Sequence, residues 1–410
     1  PKVTLKLDYF AHTTADSAAE YLSTRAAAGN MPDVVYDDAG PLPTYLAQGW
    51  MRSLDEFAAN DPDYRSYVAS NLKADYTYGG KLYALPHQAH FETFLLNTDV
   101  LNALNLSMPS LSWTIGDFES YCKKATTNKY SAQEDFGSLY NSFAHNYSPA
   151  TTLYGYNPAS KQFDVSGLIQ STKLLLTLRS IPGLEANVLR KTSSGGVTDY
   201  TKKFGTGSYS DNFVAFHKGL TLFHGLGTWE YAIKRKTVTN FNWTMWPFPQ
   251  ETQGVMPYHV DHCFMTSSAK NTAAAWQVLR YLTYSYEGNI ARLSMYDAAN
   301  AGKYALQNNY YFPTCTHPAV AAKFKSLPKV DDTAKYLYEN MGKCYRYDMV
   351  KLVPDWNNIV TSYYTQAMNT AISGTASLVD QTLTEAAAKA NTVITNSWNT
   401  FNGKLATAQK

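Results

Sequence analysis

The chain is short of cysteine, short of charge and without a long apolar run, and each shortage removes a class of protein. Cys122, Cys263, Cys315 and Cys344 are its four cysteines, and no two stand in C-x-x-C spacing. That argues against a zinc site or a thioredoxin-type motif. It leaves two states open, buried free thiols or up to two disulfides in an oxidising compartment. Charged residues make up 17%, and Lys plus Arg (35) nearly balance Asp plus Glu (33), for a net charge of +2. Such a balance steers neither nucleic acid nor a membrane surface toward the chain. No stretch of 18 apolar residues occurs, so no helix is expected to span a bilayer. No signal peptide is expected in the sequence either, a feature shared with a mature or trimmed exported protein. G-x-x-x-x-G-K-[ST] is missing and Gly225-Leu226-Gly227 lacks the third glycine of a dinucleotide loop, which removes the nucleotide reading. Tandem repeats and low-complexity linkers are lacking too.

Aromatic residues are abundant, at 14%, with 32 Tyr and 8 Trp. Tyrosine joins an apolar face to a polar tip, which suits half-wet recognition surfaces, although it also fills large cores. A length of 410 residues suggests about two domains at roughly 150 residues each.

The most informative segment runs Ala26-Ala27-Ala28-Gly29-Asn30-Met31-Pro32-Asp33-Val34-Val35-Tyr36-Asp37-Asp38. The alanines end an amphipathic helix, Gly29 suits the left-handed position after it, and Pro32 blocks a return to helix. Val34-Val35-Tyr36 reads as a buried strand ending in two acids. In open α/β sheets ligands sit beyond the carboxyl ends of strands, so this is a candidate site edge. Elsewhere, residues 3–9 alternate as a strand, and 45–49 read as a short helix closed by Gly49. A turn at Gly79-Gly80 leads into a strand, and 91–96 form another. A helix opens at Thr114 as N-cap and continues through Ala125. Helices are expected at 168–178 and 273–282, and through 359–405 with a break at Ser373-Gly374. Strands alternating with helices argue an α/β class.

Several segments together resemble the extracellular solute-binding proteins of family 1, the sugar-binding components of ABC importers, to which maltose-binding protein is related. They are AAGNMPDVVY (27–36), YLAQGW (45–50), GGKLYALP (79–86), NTDVLNALNL (97–106), LSWTIGDFESYCKKAT (111–126), FHKGLTLFHGLGTW (216–229), SSAKNTAAAWQVLRYLT (267–283) and AISGTASLVDQTL (371–383). Each is weak alone, but they occur in the family's order over nearly the whole chain. The resemblance implies a periplasmic-binding-protein-like fold of two α/β lobes, with a hinge and a ligand cleft between them. It implies one lobe from 1–89 and 262–313, the other from 90–261 and 314–410. The crossings would fall near 88–92, 258–263 and 313–320, close to Pro86, Gly254, Pro257 and Pro313. Hinges are a few loop positions that absorb backbone change. One departure stands out. The family has a strand and helix before the strand matching the first residues here, and that leading unit does not fit. A missing central strand would expose a sheet edge.

A sugar needs carboxylates or amides for its hydroxyls and a flat ring for its C–H face. Burying about 50 Å² against an indole contributes on the order of 1 kcal/mol. The resemblance implies a ligand loop at Asp37 and Asp38, for which helix capping is the plain alternative. His87, His90 and Glu92 follow the strand ending at Leu85-Pro86, and alternation points His90 and Glu92 the same way. Trp229, in Gly225-Leu226-Gly227-Thr228-Trp229, matches the family's stacking tryptophan. Glu230 and Tyr231 flank it. Tyr258, His259, Asp261 and His262 lie where the chain returns to the first lobe. Two histidines and one Asp lack a further clustered ligand, so no metal and no cofactor are expected. Trp356 and Asn357 are candidates for another wall, and Tyr140, Tyr147 and Tyr154 for further stacking.

The reading that results is a binding component with no catalysis, which captures an oligosaccharide and delivers it to ABC permease subunits. Nucleic acid is excluded as a partner, a monomer is expected, and the only membrane tie implied is a lipid anchor outside this sequence. The place implied is a Gram-positive cell surface or a periplasm. The alternatives are the same fold holding a peptide, a polyamine or ferric ion (through Tyr310-Tyr311 or Tyr363-Tyr364), or a glycosidase using Glu92 and Asp261.

Overall fold

A computed structural model describes residues 4–10, 15–300, 311–373 and 376–408. Its organising element is the 14-residue strand Ala84–Asn97, buried along almost all its length. The first part pairs antiparallel with the return strand Pro257–Met265, from Ala84 opposite Phe264 to Phe91 opposite Tyr258. Beyond that, the neighbours change. Glu92 to Leu96 face Thr221–Gly227, and Thr93 to Asn97 face Trp243–Pro247 on the other side. The sequence suggests two separate strands here. They are one, because apolar Ala, Leu and Phe residues on both faces let a single strand be covered throughout.

The strand order is Val34–Asp37, Pro257–Met265, Ala84–Asn97, Thr221–Gly227, Ser131–Gln133. At the centre the pairing slips. Val260 lies opposite Ala89, whereas His262 lies opposite Pro86, so His87 and Gln88 together face Asp261. This is a β-bulge, a device that re-aims side chains. Proline lacks the ladder donor and is tolerated beside such a break, which accommodates Pro86. Phe312 and Pro313 pair with Ala89 and Gln88 from the far side.

Aromatic packing holds the second half of the long strand. The Phe94 ring lies 4.6 Å from Phe248, 5.0 Å from Phe223 and 5.7 Å from Phe118, the last parallel to it. Phe118 belongs to the helix Ile115–Ala125, which Thr114 and Asp117 open with a reciprocal capping box. The Val34–Asp37 end is held by Tyr45 against Phe264, at 5.5 Å. The C-terminal helix Ala376–Ala408 contacts both Ser166–Arg179 and Leu42–Ala47.

Several expectations change. Residues 4–10 form no strand, and Leu7 and Tyr9 are almost fully exposed. Alternation selects a strand only where a sheet edge receives it. The Val34–Asp37 strand is less buried than its apolar run suggests, with Tyr36 half exposed, because it lies at the end of the sheet path. All four cysteines are buried free thiols. Gly374, in the expected helix break, and Tyr310, in one expected tyrosine pair, lie outside the described residues.

Phe94→Ala should cost about 3–5 kcal/mol, the usual range for emptying a buried aromatic site. Urea unfolding followed by circular dichroism measures it, and a loss under about 1 kcal/mol would show that this aromatic cluster is not the anchor.

Candidate functional site

The strand register sets four polar side chains beside one another. His90 and His259 are directly opposed across the ladder. Glu92 lies two residues along from His90, and its Oε1 is 2.8 Å from His259 Nε2. Asp261, two residues along from His259, occupies the bulge. Its Oδ2 accepts from Tyr36 Oη at 2.9 Å and Gln88 Nε2 at 2.9 Å, with His90 Nε2 at 3.3 Å. Asp261 Oδ1 accepts from Lys351 Nζ at 3.2 Å.

An aromatic ring stands over these groups. The strand Thr221–Gly227 ends in a short turn, Thr228–Glu230, that carries Trp229. Thr228 Oγ1 ties the turn to the long strand by accepting from Phe91 N at 3.0 Å. The indole meets His259 edge to face at 4.9 Å and His90 at 5.9 Å, and Trp229 stays 40% exposed. Gly227 is required for this pose, since a Cβ there would fall 2.3 Å from the indole ring. Tyr347 also meets His259, at 5.6 Å. The result is one exposed aromatic face flanked by carboxylates, an amide, imidazoles and a phenol.

Beneath the cluster lies a buried ionic network. Lys351 also donates to Val260 O at 3.1 Å and pairs with Asp348 at 3.0 Å. Arg346 binds Asp348 at 2.7 Å and Asp75 at 3.0 Å, and Asp348 accepts from Val260 N. Burial alone would raise the Asp261 pKa, but Lys351 and His90 hold this carboxyl well below the usual range. Burial opposes Asp348 too, and Arg346 with Lys351 keeps it ionised. A glycosidase acid needs the reverse, a carboxyl kept protonated. Asp261 is not such a group, and Glu92 is already engaged by His259.

The structure separates the remaining candidates. Asp37 is buried and caps the following turn through Ala39 N and Gly40 N, while its other oxygen takes the Tyr45 hydroxyl at 2.7 Å. Asp38 is exposed beside it. His87 is turned away by the bulge, with Nδ1 2.6 Å from Leu282 O. Tyr231 is buried against Trp243, and Arg235 holds its hydroxyl. Glu230 bonds its own turn at Gly227 N. Tyr258 is buried and stacked on Phe91, and His262 is fully buried. Trp356 is buried among Tyr154, Tyr156 and Phe163, and Asn357 is exposed at the start of its helix. Tyr140 is buried, whereas Tyr147 is exposed. The cluster thus gathers His90, Glu92, Trp229, His259 and Asp261, and not Asp37, His87, Tyr231, Trp356 or Asn357. Sequence reasoning missed Tyr36, Gln88, Tyr347 and Lys351. Alternation from His90 back to Gln88 could have signalled the amide; nothing local marks the others. Among the described residues, no group of three or more His, Cys, Asp or Glu could hold a metal ion.

Comparison with solved structures shows the two-lobed α/β fold of ABC-importer binding proteins. A sugar transporter protein of Rhizobium etli in an open conformation aligns with a TM-score of 0.65 at 19% identity, over 92% of this chain and 89% of that one. An ABC substrate-binding protein of Listeria monocytogenes, solved with cycloalternan, aligns with a TM-score of 0.64 at 15% identity, over 92% and 89%. The maltose-maltodextrin binding protein of Alicyclobacillus acidocaldarius aligns with a TM-score of 0.55 at 15% identity, over 92% and 88%. Residues 2–298 match the family described as bacterial extracellular solute-binding protein, and the chain belongs to that family. Its role is to bind a solute, not to transform one.

Removing one partner of the ionic network should be costly. Lys351→Met leaves Asp261 and Asp348 buried with less compensation, and should destabilise by about 3–5 kcal/mol in urea unfolding. A cost near zero would show that water reaches these carboxylates.

Acid should weaken the fold through its buried histidines. Burial and nearby Arg292 push the His87 pKa down to about 3, and burial pushes His262 down to about 4 against the attraction of Asp37. The unfolded chain protonates its histidines at about pH 6.5, so between about pH 6.5 and 4 these two positions bind more protons in the unfolded chain than in the native state. Stability should therefore fall with decreasing pH by about 1.4 kcal/mol per unit for each such histidine. Urea midpoints from about pH 7 to 4.5 measure the slope, and His262→Phe should flatten it. An unchanged slope would remove His262 from this account.

Proposed function

We propose that this protein is the extracytoplasmic binding component of an ABC importer and captures an oligosaccharide between its lobes. The observation that carries the reading is Trp229. Its half-exposed indole stands beside the Glu92–His259 pair and the Asp261 cluster, so one ring face and several planar hydrogen-bonding groups converge. A sugar ring presents a C–H patch on its face and hydroxyls on its edge, which this pairing complements. The relatives from Listeria and Alicyclobacillus, by what they bind, favour a carbohydrate.

In this reading one lobe is 1–89 with 262–313 and the other 90–261 with 314–410. The hinge is where the long strand, the return strand and Phe312–Pro313 run side by side. Ligand touching both lobes stabilises the closed form, and the shift in population presents it to the permease. The protein acts as a monomer, held at a Gram-positive surface by a lipid anchor or free in a periplasm. The ferric-ion alternative finds less support. Tyr364 is fully buried against Tyr154 and Phe163, and Tyr311 is buried with Arg292 on its hydroxyl.

A glycan array identifies the ligand, and calorimetry of Trp229→Ala tests the site. Affinity should fall at least about tenfold, near 1.4 kcal/mol, with the melting temperature retained. Unchanged affinity would remove the stacking role.

A further inference from the structure

A second cavity, of about 420 Å³, lies behind the Asp261 cluster. One wall comes from the helix Ser70–Asp75 and the turn at Tyr78. The other comes from residues 149–161 and the C-terminal helix near Trp398 and Phe401. Arg346 lines it as well, and the ion pairs through Asp348 and Lys351 run from there to Asp261. None of the residues named for the Trp229 and Asp261 cluster lines this cavity.

Its chemistry differs from that of the cleft. Tyr78 meets Phe401 edge to face at 5.7 Å, and Trp398 Nε1 donates to the Tyr156 hydroxyl at 3.1 Å, so these walls are aromatic and already satisfied. Asp75, the acid on the wall, is paired with Arg346. Lys161 is the exposed charge. Its ammonium lies 4.0 Å from the Trp398 ring centre, and among the described residues no ion pair with a carboxylate engages it. A volume within the range of small-molecule sites, aromatic walls and one cation that rests on an indole without a carboxylate partner select a ligand with a flat apolar body and one anionic end.

We propose that this cavity is a second binding site, for a small aromatic carboxylate whose ring packs along the wall that Tyr78 and Phe401 form together and whose carboxylate meets Lys161. The proposal does not depend on which ligand the Trp229 cluster holds.

Ligand-observed NMR and calorimetry with indole-3-acetate, and with the neutral indole-3-ethanol as control, test it on the whole chain. Indole-3-acetate should bind with a Kd near or below about 1 mM. Ala150→Trp, which fills the mouth from an exposed position, should weaken binding at least about tenfold. Lys161→Met should weaken the acetate about fivefold or more and leave indole-3-ethanol unchanged. No saturation below about 10 mM, or binding that a folded Ala150→Trp does not change, would overturn the site. Should Ala150→Trp fail to fold, the Lys161→Met comparison decides alone, and equal losses for acid and alcohol would overturn the carboxylate assignment.

Discussion

A carboxylate buried at Asp261 needs compensation, and distant parts of the chain converge to supply it. Tyr36 comes from the first strand, Gln88 and His90 from the long strand, and Lys351 from the segment before the C-terminal helices. Desolvating an ion without partners would cost several kcal/mol, so these groups are held in one arrangement. The same arrangement orients His90 against the indole of Trp229. The buried ion and the pose of His90 against the indole therefore rest on a single set of contacts.

The long strand Ala84–Asn97 makes that convergence possible. Its first half is laddered to the return strand and its second half to Thr221–Gly227 and Trp243–Pro247. Near the point where the partners change, the bulge turns His87 inward and leaves Gln88, His90 and Glu92 on the side of Asp261 and His259. Pro86 and Pro313 border this point, where missing donors weaken the ladder. The polar cluster sits near where the two sets of partners meet.

Two surfaces on either side of the ionic network have opposite character. The front carries an exposed indole among carboxylates and imidazoles, and the rear carries aromatic walls with Lys161. Arg346, Asp348 and Lys351 lie between them, each bonded to its neighbours and to the Val260 backbone. Any shift of this network would be felt at both.

Local chemistry made much of this legible. The helix end at Gly29, with its positive φ, and the N-cap at Thr114 depend only on neighbouring residues, and both formed as read. Glycine close to tryptophan in Gly227-Thr228-Trp229 marked where the exposed indole stands, since the ring needs the space that a Cβ would take. Alternation put His90 and Glu92 on one face. It failed for residues 4–10, where no edge accepts the pattern, and it hid the fusion of two strands into one. The pairing of His90 with His259, the bulge at Asp261 and the arrival of Lys351 depend on register between segments far apart in sequence. Local propensity carries no record of register; only the packed tertiary structure decides it.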